Sequence, residues 1–195
     1  PYGVYLPTTI AVAVQDHGES IGYSNRLFRF RQWKEFCERG GDIRNLIYQE
    51  VPKSLTRMAS AIEGIPDSYV MDTGAAAIWG ALCDPTVKAY QEEGLIIVNI
   101  GNQHTIAVLL QGFRIWGLFE HHTSLLNNEK LLYYINKLKF NQLTNAEVYE
   151  DGGHGCFVKS EFSAGEGFQF VAATGPRRNL AESGGFYFAA PFGNM

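Results

Sequence analysis

The sequence predicts an α/β fold, a mixed sheet flanked by helices, on three observations. Between Leu95 and Thr123, three apolar, β-branched runs follow one another with short polar breaks, the pattern of an antiparallel meander. The short strand Tyr69-Val70-Met71 passes through Asp72-Thr73-Gly74 into an Ala-rich helix, the strand–turn–helix grammar of α/β proteins. A last strand, Phe168 to Ala173, runs into Thr174-Gly175-Pro176-Arg177-Arg178 and a helix start, where Pro is tolerated in the first turn. With 195 residues, 46% apolar and 13% aromatic, the chain can bury a core of its own, and it reads as a single domain over 1–195.

The elements follow in order. Thr8 to Val14 (TTIAVAV) has the composition of a buried strand and leads into the polar loop Gln15-Asp16-His17-Gly18-Glu19. Phe30, Trp33, Phe36 and Cys37 recur at helical spacing, with Arg31, Lys34 and Glu35 between them, up to a stop at Gly40-Gly41. Leu55, Met58, Ala59 and Ile62 mark a second helix, ended by Gly64 and Pro66. In the helix from Ala75 to Leu82, the small residues Ala75, Ala76, Ala77, Gly80 and Ala81 allow a close neighbour. The meander divides into strands 95–100, 104–110 and 113–119, with Gln111-Gly112 as a two-residue turn. That turn would pair Leu110 with Phe113, and so set His104 opposite Phe119 and Asn102 opposite His121. Leu131, Tyr134, Ile135 and Leu138 give a further amphipathic helix, and Thr144 with Glu147 a capping box for a short one after it. The loop Asp151-Gly152-Gly153-His154-Gly155 follows.

Composition excludes several functions. The net charge is −4 with acids and bases interspersed, so there is no basic stripe for a nucleic-acid partner. No apolar run approaches the roughly 20 residues of a membrane span. The three cysteines are far apart, and none forms a CxxC pair, which argues against a zinc finger or an iron–sulfur site and for a reducing, cytoplasmic compartment. The chain opens on Pro1 without a signal-peptide pattern and reads as truncated at its N-terminus. A small-molecule or nucleotide ligand is expected, and an oligomer is compatible with the surface.

The chemistry-bearing residues gather in Gly-rich loops, which hold all five histidines. Asp16, His17, Asp72, Glu120, His122 and His154 are the candidates for acid–base or carboxylate roles. Asp72 stands where a helix N-cap belongs, the reading its position favours, and Asp16 and Asp151 suit turns. In a strand, Glu120 and His122 share one side while His121 faces the other, so Glu120 and His122 form a candidate pair for a divalent transition metal such as zinc, manganese or iron. Hydrogen-bonded structural or substrate-contacting histidines are the alternative.

The segments AVAVQDHG, SNRLFRFR, VMDTGAAAIWGAL, VNIGNQHTIAVLL, GLFEHHTS, EDGGHG and TGPRR together resemble a prokaryotic family labelled pyruvate formate-lyase activating enzyme and grouped with the actin-like ATPases. The resemblance implies a ribonuclease-H-like sheet and a Mg-ATP or Mg-ADP ligand. NIGNQHT resembles that superfamily's phosphate-binding hairpin, which points to Asn99, Gly101, Asn102, His104 and Thr105. TGPRR resembles its adenosine loop, which points to Gly175 and Arg177. Asn99 stands where the hairpin pattern carries an Asp that orients metal-bound water, so the resemblance implies nucleotide binding more than hydrolysis. Three readings follow: a Mg-nucleotide phosphotransferase or hydrolase, a His/carboxylate metal enzyme, and a non-catalytic scaffold or sensor. The label itself would imply radical chemistry on a three-cysteine iron–sulfur motif, a spacing that Cys37, Cys83 and Cys156 lack.

Overall fold

The computed structural model describes residues 7–18, 22 and 24–189. Glu19 and the segment 190–195 lie outside them.

The meander forms as the alternation of apolar runs and turns requires: β3 is Leu95–Ile100, β4 His104–Gln111 and β5 Arg114–His122, each antiparallel to the next. A further strand, β6 (Gly155–Val158), pairs antiparallel with β5. On the other side of β3, β7 (Phe170–Thr174) runs parallel to it, and β8 (Tyr187–Phe188) runs parallel to β7. The result is a six-stranded mixed sheet in the order β6-β5-β4-β3-β7-β8. Leu95 to Val98 do not alternate with polar residues because both faces of β3 are covered.

One face packs Ile96, Val98, Phe119 and Ala173 against Leu131, Tyr134, Ile135 and Leu138 of α5 (Asn128–Lys139). Val148 of α6 (Asn145–Glu150) joins that core, and the hydroxyl of Thr144 accepts from the N–H of Glu147, one half of the expected capping box, while the Glu147 carboxylate turns to Tyr133 and Lys137. The other face packs Ile97, Val108 and Leu118 against Phe30, Trp33 and Cys37 of α1 (Asn25–Glu38) and Ile78 and Ala81 of α3 (Thr73–Leu82). A smaller cluster of Leu55, Met58 and Val70 lies under α2 (Thr56–Ala61). No helix among the described residues is long and apolar enough to cross a membrane.

Three expectations are corrected. The turn between β4 and β5 is Gly112-Phe113, since Gln111 pairs with Arg114, and a bulge leaves Trp116 without an opposite residue. These two changes move the register, so His104 faces His122 and Thr105 faces His121. The expected buried strand at 8–14 shrinks to β1 (Ala11–Ala13), whose alanines are exposed; it pairs with β2 (Tyr69–Met71), in a separate two-stranded parallel sheet. The helix expected after β7 is a 3-10 segment, Arg178–Gly184. Sequence periodicity also missed β6, β8, α4 (Pro85–Ala89) and the 3-10 turn Ile43–Leu46, all too short to show a period.

The sheet separates the cysteines. Cys37 lies in the core on the α1 side and Cys156 in the core on the α5 side, while Cys83 is exposed. Burial pushes the thiols of Cys37 and Cys156 up to about 12. A thiol reagent at about pH 8 is therefore expected to label Cys83 alone in the native protein and all three cysteines after denaturation. Labelling of Cys37 or Cys156 at the rate of Cys83 would contradict this packing.

Candidate functional site

The carboxyl ends of β3 and β7 lie side by side, and in a sheet of this kind ligands bind in the crevice outside such ends. A cleft of about 670 Å³ opens there. The β3–β4 hairpin contributes Asn99, Gly101, Asn102, Gln103 and His104, and the loop after β7 contributes Thr174, Gly175, Pro176 and Arg178. The third wall is α3, through Thr73 and Gly74 at its start and the small side chains of Ala76, Ala77 and Gly80. The small face of α3 therefore leaves open volume where larger side chains would fill it.

The two loops meet closely. Arg177 donates its N–H to the carbonyl of Ile100 at 3.0 Å. Gly175 has φ +98°, and a Cβ there would lie 2.5 Å from the Ile100 carbonyl oxygen and 2.6 Å from Asn99 Oδ1. Both conditions demand glycine.

Arg29, on α1, ties the floor together. Its Nε lies 2.8 Å from each carboxylate oxygen of Glu120 on β5. Its terminal nitrogens reach Asp72 at 3.2 and 3.3 Å and the backbone carbonyl of Asp16 at 2.9 Å. All three charged side chains are buried, Glu120 to 1% side-chain exposure. Burial opposes the charge on Arg29, but Glu120 and Asp72 outweigh it and hold the guanidinium above its ordinary pKa. For Glu120 burial outweighs Arg29, and its pKa is raised. Asp72 also caps α3, its Oδ1 accepting from the N–H of Gly74 at 2.8 Å. The Asp16 carboxylate accepts from the N–H groups of Gly18 and Met58 at 2.8 and 3.0 Å, which fixes the loop that carries His17.

Four histidines converge beside this ion cluster. The ring of His104 lies 4.8 Å from that of His17, 4.9 Å from His154 and 5.0 Å from His122, centroid to centroid. His122 and His154 are 4.8 Å apart. The β4–β5 register sets His104 against His122, and the N–H of His154 bonds to the Glu120 carbonyl at 2.8 Å at the mouth of β6. Arg26 holds the Asp151–Gly155 loop by donating to the carbonyls of Tyr149 and Gly153 at 2.8 and 2.5 Å. Burial, reinforced by Arg29 and, for His104 and His154, by neighbouring imidazoles, lowers the pKa of His17 to about 4, of His104 to about 3 and of His154 to about 2. His122 is lowered as well, first by burial and then by Arg26. All four are neutral at pH 7, with lone pairs available as acceptors.

Of the residues expected to bind a cofactor, Asn99, Gly101, Asn102, His104 and Gly175 line the cleft. Thr105 does not: it is fully buried, and its hydroxyl bonds to that of Thr123 at 2.9 Å. Arg177 meets the hairpin through its backbone, and its neighbour Arg178 lines the cleft. Of the expected metal pair, Glu120 is engaged by Arg29, whereas His122 joins the histidine cluster. His121 points to the opposite face, with Nε2 3.0 Å from Asp151 Oδ2 and its ring beside Tyr134. Two residues that sequence reading passed over are central. Arg29 falls on the buried stripe of α1, four residues before Trp33, a spacing that becomes a signal once that face of the helix is known to be the buried one. Gln15 places its amide nitrogen 2.7 Å from His104 Nδ1 and 3.2 Å from His17 Nε2, a bridge that no local pattern announces.

No curated protein matches the chain. Over residues 1–180 it matches the family described as "Putative pyruvate format-lyase activating enzyme (DUF1786)", and the chain belongs to that family.

Proposed function

We propose that the cleft between the β3–β4 hairpin and the loop after β7 binds a phosphorylated nucleotide of the Mg-ATP or Mg-ADP kind, in a ribonuclease-H-like, actin-type fold. One observation carries the reading. Two loops about 70 residues apart, each resembling a nucleotide-binding loop of that superfamily, line the same 670 Å³ cleft at the ends of parallel strands. The mixed sheet agrees with it, with an antiparallel meander on one side of β3 and parallel strands on the other. Gly101 and Gly175 leave the backbone free to approach phosphate, and Arg178 supplies positive charge at the rim.

A second observation favours binding over turnover. Glu120 is the only carboxylate among the described lining residues, and Arg29 holds both of its oxygens. Asn99 offers an amide where hydrolysis would draw on a free carboxylate for Mg²⁺. The protein in this reading is a nucleotide-responsive module whose hydrolysis is slow or absent. Iron–sulfur chemistry, which the family's description would imply, does not fit the residues: Cys37 and Cys156 lie on opposite sides of the sheet, and Cys83 is exposed.

The test is thermal unfolding with and without saturating Mg-ADP. Ligand at about 100 times its dissociation constant adds roughly 2.7 kcal/mol, a rise of about 5–10 °C for a domain of this size. The rise is expected to vanish in Gly175→Ala and to shrink in Arg178→Ala. A wild-type Tm unmoved by Mg-ADP or Mg-ATP would overturn the reading.

A further inference from the structure

We infer that His17, His104 and His154 form a binding site for a divalent transition-metal ion beside the cleft. The inference does not rest on the nucleotide reading. The three side chains each present a ring nitrogen within 4.8 Å of the others. A tetrahedral ion with metal–nitrogen bonds of about 2.0–2.1 Å needs its ligands about 3.3 Å apart, so small side-chain rotations close the set.

Two features show that lone pairs converge here. The amide nitrogen of Gln15 lies within hydrogen-bond distance of both His104 Nδ1 and His17 Nε2; in the tautomers that accept from it, two ring lone pairs face one donor group, where a cation would be attracted. Nδ1 of His154 is buried with no hydrogen-bond partner, in a side chain only 2% exposed. Leaving a buried polar atom unpaired is destabilising, and a bound ion would remove that cost.

The donor set decides the class of ion. Three neutral imidazoles without a thiolate or a free carboxylate suit Zn²⁺, Co²⁺, Ni²⁺, Cu²⁺ or Fe²⁺, and not Mg²⁺ or Ca²⁺, which take oxygen ligands. Three protein ligands leave a coordination position for water or for a ligand atom, the pattern of catalytic rather than structural sites. His104 belongs both to this set and to the cleft wall, so an ion held there would stand beside the cleft's occupant. The ligands arrive from three segments, the loop after β1, the start of β4 and the entry to β6, so an ion there also ties the β1 loop to the main sheet.

The experiment uses the untagged chain, stripped with EDTA and exchanged into chelator-free buffer. It is titrated calorimetrically with Zn²⁺ and spectroscopically with Co²⁺. One equivalent is expected to bind, with visible Co²⁺ bands of low-symmetry coordination, and Mg²⁺ at equal concentration is not expected to compete. His104→Asn and His154→Gln should each weaken binding by more than about tenfold. His104 is partly exposed, so its variant is the safeguard should His154→Gln fail to fold. Absence of stoichiometric binding in the wild type, or binding unchanged in folded His104→Asn, would overturn the inference. Because Mg-ADP is not involved, failure here leaves the nucleotide reading standing, and the reverse also holds.

Discussion

Replacing Arg29 with Met is expected to destabilise the protein by about 3–5 kcal/mol, since removing one partner of a buried ion cluster leaves the others charged and unpaired. Arg29 is the shared partner of Glu120 and Asp72, and it also holds the Asp16 carbonyl, so one side chain joins α1, the β1 loop, the start of α3 and β5. For a domain of this size the loss corresponds to a fall in Tm of roughly 6–20 °C. Methionine fills much of the same volume, so the effect reads the charge rather than a cavity. Adding Glu120→Gln to the variant should restore part of the stability, because the amide takes one of the two stranded charges away. Denaturant unfolding of the wild type, both single variants and the double variant measures the coupling. An Arg29→Met protein within about 1 kcal/mol of wild type would mean that the cluster is solvated in a way its burial does not allow.

The second large effect is acid lability. His154 titrates at about 2 in the folded protein and at about 6.5 in the unfolded chain. Between those values the unfolded chain binds the extra proton, so stability is full above pH 6.5 and falls as the pH drops below it. At about pH 4.5 the linkage from His154 alone approaches 3 kcal/mol. His17 and His104, lowered to about 4 and 3, act in the same direction. Glu120 acts in the opposite direction, because its raised pKa lets the folded state hold a proton that the unfolded chain has released. The comparison of wild type with His154→Gln, in a buffer containing chelator, therefore isolates the imidazole. The variant should show a shallower loss of stability between pH 6.5 and 4.5. Parallel pH profiles would show that His154 is not held neutral by its surroundings.

These two effects centre on residues that differ in how far the sequence announces them. Glu120 and His154 stand in polar or Gly-rich segments and attract attention at once, whereas Arg29 is one charge among several in an amphipathic helix. Its placement on the stripe with Trp33 marks it as buried only after the orientation of α1 on the sheet is known.

What the sequence determined by itself is local. The apolar runs of β3, β4 and β5, the spacing of α5, the Asp72 and Thr144 caps and the Gly-rich loops all express backbone preferences and periodicity, which act over a few residues. The sequence marks the NIGNQHT and TGPRR loops one by one, and in the fold Asn99 and Gly175 meet. The tertiary structure alone decided the rest. The Gly112-Phe113 turn and a bulge at Trp116, invisible to any count along the chain, together moved the register and brought His104 against His122. The short strand β6, without a period of its own, carried His154 to the same point, and a loop fixed through the buried Asp16 carboxylate delivered His17 and Gln15. The physical reason is that strand pairing and loop anchoring are set by hydrogen bonds between residues far apart in the chain. Which imidazoles meet therefore depends on energies that no local window contains.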